Sequence, residues 1–232
     1  MDFETTLKEI ISRTYKAKSF RFQRPPSFNY KPGQFIHVTI KTDSKETSKY
    51  FSISSSPTEK EHIEFTKKLR ESEFSKALNN LKIGDPAKIK GPYGAFTFEN
   101  EHPKLGMLSG GIGITPLISI CKYCTDTKLN TKITLICGNR TEKDIAFKEE
   151  LEDMQRKNKN LKIVFTLDEP DENWKGHTGR VNAQMIKQEI PDYKERTFYT
   201  CGPPLMVEAM SRLLIQIRIP KNQIKKENFS GY

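Results

Sequence analysis

The segment Leu108-Ser109-Gly110-Gly111-Ile112-Gly113-Ile114-Thr115-Pro116 joins a short apolar strand, Leu105 to Leu108, to an apolar helical run, Ile114 to Tyr123. Glycines at such a turn let the backbone approach a pyrophosphate, whose charge is favoured by free N–H groups and the positive end of the helix. A plain tight turn would use the same residues. Pro116 stands where the last glycine of GxGxxG would be, so the meaning of the stretch depends on its surroundings. Outward from it, Lys132 to Cys137 reads as a β-branched strand, Thr141 to Asn158 as a long amphipathic helix and Leu161 to Leu167 as another strand. Arg180 to Gln188, Thr197 to Cys201 and Pro204 to Ile217 continue the alternation, which predicts a parallel sheet with helices on both faces. Thr200-Cys201-Gly202-Pro203-Pro204 ends one strand and opens a helix, so its turn belongs at the same carboxyl edge of the sheet, where ligands bind in a crevice. Asp168, in Phe165-Thr166-Leu167-Asp168-Glu169, reaches that edge too. A carboxylate there can accept bonds from ribose hydroxyls and repel a 2′-phosphate, although a turn role before Pro170 is the alternative.

The first hundred residues have another rhythm. Thr5 to Ser12 partly alternates, Ser19 to Gln23 alternates, and Pro32-Gly33 introduces an alternating strand, Gln34 to Ile40, with apolar Phe35 or Ile36, Val38 and Ile40. Tyr50 to Ser54, His62 to Lys68, Ala87 to Lys90 and Ala95 to Phe98 are further strand candidates, and Glu73 to Leu81 suggests a helix. Many short strands at this spacing predict a barrel or sandwich. The change of pattern at Glu101-His102-Pro103 places a boundary near residue 101, giving a β-rich unit over 1–101 and an α/β unit over 102–232.

Thirty-nine Lys and Arg against 29 Asp and Glu leave the 232-residue chain at +10. That charge favours acidic partners: nucleic acid, anionic lipid, nucleotide phosphates or an acidic protein. The lysines are dispersed and no nucleic-acid-binding motif is visible, so no nucleic acid is expected. No stretch approaches the roughly 20 apolar residues of a membrane span, and Met1-Asp2-Phe3-Glu4 lacks a secretory leader's character, so a cytoplasmic location is expected. Cys121, Cys124, Cys137 and Cys201 are too few and uneven for a disulfide framework, which suits a reducing compartment. The Cys121-x-x-Cys124 pair has metal spacing but sits on a helical run without a second pair, so it reads as helix thiols. No metal site is expected, and without an iron-sulfur pattern any electrons need an organic cofactor.

Ser48-Lys49-Tyr50-Phe51-Ser52 combines a cation, aromatics and hydroxyls on one strand, as a flat ring and its phosphates would require, or as an ordinary edge strand would show. Taken in order, GGIGITP at Gly110 to Pro116, NRTEKDI at Asn139 to Ile145, TLD at Thr166 to Asp168 and CGPP at Cys201 to Pro204 resemble the ferredoxin-NADP reductase superfamily, most closely its NADH-cytochrome b5 reductase branch. The resemblance covers nearly the whole chain. It implies an antiparallel flavin-binding β-barrel followed by a parallel-sheet nicotinamide-nucleotide domain. The family's Arg-x-Tyr-Ser/Thr flavin motif reads Lys49-Tyr50-Phe51-Ser52 here, which keeps the positive charge but loses the guanidinium fork and the phenol hydroxyl. Phe74-Ser75 with Gly91-Pro92-Tyr93-Gly94 downstream looks like the phosphate-side loop. Thr115 resembles the residue beside the flavin ring and nicotinamide, and Cys201 the thiol at the nicotinamide edge. Tyr232 or Phe229 would shield the flavin face, with Glu227 near for a polar contact.

The resemblance implies FAD as cofactor and hydride transfer from NADH, with NADPH possible. Asp168 opposes a 2′-phosphate. Arg140 could attract one unless Glu142 or Asp144 occupies it. Electrons would pass to a carrier such as ferredoxin, flavodoxin or a cytochrome, an acidic protein by the charge argument. The alternatives are a free-flavin or ferric reductase, or an electron-transfer subunit of a larger complex.

Overall fold

A computed structural model describes residues 1–41 and 46–229 of the chain. Six antiparallel strands build the first half: β1 (Asp2–Thr14), β2 (Ala17–Gln23), β3 (Phe35–Lys41), β4 (Glu46–Ser52), β5 (His62–Lys68) and β6 (Pro86–Tyr93), in the order β4-β3-β6-β1-β2-β5. The sheet curls until its edges meet, where Ile53 bridges Phe65 and the Ser54 N–H donates to the Glu64 carbonyl at 2.8 Å. Alternation decides which side chains go inside. On β3 the inward set is Ile36, Val38 and Ile40, so Ile36 rather than Phe35 faces the core, packing with Leu7, Phe20, Phe22, Phe65 and Ile89. Helix α1 (Glu73–Asn80) follows β5 and is capped by Ser72.

The second half alternates as expected: β7 (Lys104–Gly110), α2 (Ile114–Asp126), β8 (Lys132–Asn139), α3 (Lys148–Lys157), β9 (Leu161–Leu167), β10 (His177–Thr178), α4 (Ala183–Glu189), β11 (Thr197–Gly202), α5 (Pro204–Gln216) and β12 (Ile224–Asn228). All six strands run parallel, in the order β10-β9-β8-β7-β11-β12. Helices α2 and α3 pack on one face and α4 and α5 on the other, each over its own apolar cluster.

Three expectations change. Ala95 to Phe98 is not a strand, because Phe96 and Phe98 turn away from the barrel ladder and bury themselves in the cluster under α2. Burying two such rings is worth about 1.5–3 kcal/mol each, more than an edge strand of this length would offer. The expected helix from Thr141 starts only at Lys148. Thr141 and Asp144 form a capping box around a single 3₁₀ turn, and Phe147 takes a left-handed φ of 62° that breaks the path. Likewise α4 begins at Ala183 instead of Arg180, because the Asn182 side chain caps the Met185 N–H at 2.9 Å. The halves interlock through the β1–β2 hairpin, whose Ala17 joins the cluster under α2, and through Ser119 on α2, whose hydroxyl donates to the Ser55 carbonyl at 2.6 Å.

Candidate functional site

β7 and β11 are neighbours in register, with Ser109 level with Cys201, so the two glycine turns open side by side. Gly113 is wedged between them: a Cβ there would lie 2.3 Å from the Cys201 carbonyl oxygen and 2.6 Å from the Gly202 Cα. Gly111 has a positive φ of 52° and open space where a side chain would stand. Thr115, in the first turn of α2, is buried and donates its hydroxyl to the Ile112 carbonyl at 3.2 Å, holding the turn. Beside these turns lies a cavity of about 490 Å³ lined by Gly110, Gly111, Pro203, Arg140 and Asp168, with Lys68 from the barrel and Arg180.

Asp168 is exposed at the end of β9. Arg140 is paired with Glu169 at 2.9 Å, not with Glu142 or Asp144, which are engaged by Lys148 and by Thr141. Arg180 was not singled out in the sequence. Its signal is the Gly179-Arg180 pair just after β10, the strand that lies beside β9.

On the barrel side, Phe51 stacks on Phe65 at 4.4 Å between centroids and leans on Phe74 at 5.6 Å. Tyr50 is exposed on the other face of β4 against Phe35 and His37. The Lys67 ammonium is pushed to a lower pKa by burial and by the charges of Arg70 and Lys49, so three cations converge where an anion would be welcome. Ser75 is turned inward: its N–H donates to the Ser72 hydroxyl, and its own hydroxyl accepts from Ser72 and the Arg70 N–H. Gly91 packs against Ile36, and Gly94 lies under the Phe35 ring with Glu227 beside it.

Barrel and sheet meet at Glu227. It stands level with Cys201 in the β11–β12 register; its Oε2 accepts the Ser52 hydroxyl at 3.3 Å and lies 4.0 Å from the Cys201 Sγ. Burial raises the Glu227 carboxyl to about 7, with the Ser52 hydrogen bond opposing only part of that shift. Burial, and then the Glu227 charge, push the Cys201 thiol far above its ordinary range, so it stays a thiol. Phe229 is half-buried against the α2 cluster and its N–H donates to the Gly202 carbonyl at 3.0 Å. Tyr232 lies outside the described residues. The structure thus gathers Ser52, Gly94 and Cys201 around Glu227, which the sequence offered only as a nearby polar contact. Among the described residues no cluster has metal-ligand character and no helix is long and apolar enough to cross a membrane.

A closed antiparallel barrel joined to a parallel sheet, with glycine turns at its carboxyl edge and a cation group beside stacked aromatics, defines a two-nucleotide oxidoreductase architecture. Residues 2–98 match the model of the oxidoreductase FAD-binding domain and residues 107–212 that of the oxidoreductase NAD-binding domain. The chain is 31% identical over 225 residues to NADH-cytochrome b5 reductase 1 of Dictyostelium discoideum, covering 94% of this chain and 79% of that protein. It is 30% identical over 231 residues to the glycine betaine monooxygenase reductase subunit of Chromohalobacter salexigens, covering 96% of this chain but only 63% of that protein. The cytochrome b5 reductase domain of Ulva prolifera nitrate reductase has the same fold, with a TM-score of 0.87 at 23% identity over 98% of this chain and 97% of that one. The chain belongs to the ferredoxin-NADP reductase superfamily of FAD- and NAD-binding oxidoreductases.

Proposed function

We propose that the chain is a reductase that passes a hydride from NADH to FAD and hands the electrons on to an acidic carrier protein. The observation that carries this reading is the junction at Glu227, where Ser52 of the barrel and Cys201 of the sheet meet beside the glycine turns. When bound, the flavin supplies a two-electron acceptor able to release electrons singly. Lys49, Lys67 and Arg70 would hold its phosphates, and Phe51 its ring. Gly110, Gly111, Gly113, Gly202 and Pro203 would receive the nicotinamide nucleotide, while Thr115 braces their turn. Cys201 gives a small, uncharged, polarisable surface and needs no covalent role. Glu227 exchanges a proton near neutrality beside the Ser52 hydroxyl, at a half-buried position where barrel and sheet meet. Phe229 and Tyr232 are the residues proposed to cover the flavin face. A barrel unit over 1–101 and a nucleotide unit over 102–232 belong to this reading. So does a cytoplasmic setting, which the four buried free thiols suit.

Asp168 at the ribose end favours NADH, while Arg140, held by Glu169, and Arg180 favour a 2′-phosphate. Removing the carboxylate takes away a repulsion of about 1–4 kcal/mol at contact range. Asp168→Ser is therefore expected to shift the ratio of kcat/KM for NADPH over NADH upward by at least about tenfold, measured by steady-state kinetics. An unchanged ratio would leave nucleotide choice to the arginines.

The function is tested by the visible spectrum of the FAD-reconstituted protein. NADH should bleach the flavin band, and no bleaching would overturn the assignment. Reduction of an acidic ferredoxin- or flavodoxin-like carrier should slow steeply as salt rises from 0.01 to 0.1 M, where the Debye length shortens from about 30 to about 10 Å. A flat salt response would instead favour a free-flavin or ferric reductase. A second reading, an electron-transfer subunit of an oxygenase complex, is favoured by the likeness to the reductase subunit, of which the chain spans 63%.

A further inference from the structure

Behind the crevice lies a group of charges that the chemistry above does not use. Glu64 on β5 is fully buried and accepts from Arg13 at 3.1 Å, Arg21 at 2.7 Å and the Ser54 hydroxyl at 2.8 Å. Arg13 also crosses to the other half, reaching Glu150 on α3 at 3.1 Å with its guanidinium 4.3 Å from the Phe147 ring centre. Lys122 on α2, only 6% exposed at its side chain, returns the crossing: its ammonium lies 2.8 Å from Glu150 and 3.5 Å from Glu59 in the barrel half. Burial alone would drive the Glu64 carboxyl upward, yet the charges of Lys122 and Arg13 and the Arg21 bond hold it below its ordinary range. Arg13, Arg21 and Lys122 thus face Glu64, Glu150 and Glu59, and Arg21 also reaches Glu9 at 2.9 Å at the outer end of the set.

A buried charge network adds little stability over well-packed apolar residues, but it tolerates only one register. A slide of an ångström would lengthen several charge-assisted bonds at once, whereas an apolar seam would reseat. One end of this network adjoins the proposed flavin platform, and the other shares a helix with the nicotinamide turn. Glu64 is next to Phe65, the platform on which Phe51 stacks. Lys122 lies nine residues along from Gly113 on the same helix, about 13 Å at 1.5 Å per residue.

We propose that Lys122 and Glu150 are positioning residues that lock α2 and α3 onto β5 and thereby set the approach of the nicotinamide turn to the flavin face. This rests on the hydride-transfer reading. Glu150→Gln is the primary test, because the side chain is 30% exposed and its amide is nearly isosteric, so the fold is kept while the Arg13 crossing and the Lys122 pair between α2 and α3 lose their carboxylate. Glu152→Gln, on the same helix and paired with Lys148, is the control. In stopped-flow reduction of the FAD-loaded protein, Glu150→Gln should lower the limiting rate about tenfold or more and leave the half-saturating NADH concentration within about twofold, since misplacement by an ångström can cost 10²-fold. Lys122→Met should do the same. Hydrogen exchange on the flavin-free protein should show faster exchange in α2 and β5 of Glu150→Gln and not of Glu152→Gln. Wild-type rates and exchange in both variants would overturn the proposal, as would a loss of NADH affinity with an unchanged limiting rate. If NADH fails to bleach even the wild-type protein, the hydride-transfer reading falls, and unchanged exchange in Glu150→Gln would then remove the lock as well.

Discussion

Replacing Gly113 with alanine is expected to cost about 3 kcal/mol of stability and to slow NADH-driven flavin bleaching by about two orders of magnitude. The added methyl carbon would sit 2.3 Å from the Cys201 carbonyl oxygen and 2.6 Å from the Gly202 Cα, both backbone atoms that no rotamer change can move aside. Overpacking of this kind costs typically 1–3 kcal/mol, and relief requires α2 to separate from β11, which carries the two halves of the nucleotide cradle apart. In a chain of this size about 3 kcal/mol corresponds to a melting-temperature loss of roughly 6–12 °C. Gly111→Ala is the informative comparison. It meets open space, so its fold penalty is limited to about 1–2 kcal/mol from the positive φ. Thermal melts and stopped-flow bleaching of the two variants check the expectation; a Gly113→Ala protein as stable and as fast as wild type would mean that the two turns do not act as one unit.

Glu227→Gln is expected to raise stability at pH 8 while erasing the pH dependence of reduction near neutrality. The carboxyl is raised from its ordinary 4.5 to about 7, so between those values the folded protein keeps a proton that the unfolded chain has released. Stability contributed by that proton is therefore present below about pH 4.5, lost as pH climbs to about 7, and flat above. Two and a half pK units set an upper bound of about 3 kcal/mol, and the solvent that reaches the half-buried side chain brings the expected gain of the glutamine to about 2 kcal/mol. A melting temperature higher by roughly 4–8 °C at pH 8, with no gain at pH 4, follows. In stopped-flow traces the wild-type rate should inflect near pH 7 and the variant's should not. A variant that retains the inflection would assign the titrating group elsewhere.

Much of this was legible from periodicity and turn chemistry. The parallel sheet followed from strands that end in glycine turns at Gly110 and Gly202, and the barrel from alternation such as Ile36, Val38 and Ile40. The failures occur where a tertiary contact or a capping side chain overrides the periodic pattern. Phe96 and Phe98 alternate like a strand, but the partner that buries them lies in the other half. The helix expected from Thr141 has the right spacing of apolar residues, yet the Thr141–Asp144 box closes a turn before it can propagate. Glu227 was underweighted because nothing local marks it; its character comes from strand pairing with Cys201 and from Ser52, 175 residues away in sequence. The ion network was invisible for the same reason, since Arg13, Glu64, Lys122 and Glu150 look individually like residues of a solvated, lysine-rich surface.

The placement of Phe96 and Phe98 bears on how such proteins can be recombined. A chimera that joins this barrel to a foreign nucleotide half at residue 101 would carry both rings away from the cavity shaped for them and leave the incoming half without its own equivalents. The productive crossover lies upstream, between Gly94 and Phe96, where the chain leaves the ladder and before it enters the second core. Even there Ala17 at the hairpin tip must be matched to the recipient, so exchangeable halves are defined by which core a side chain fills and not by where the strand pattern changes.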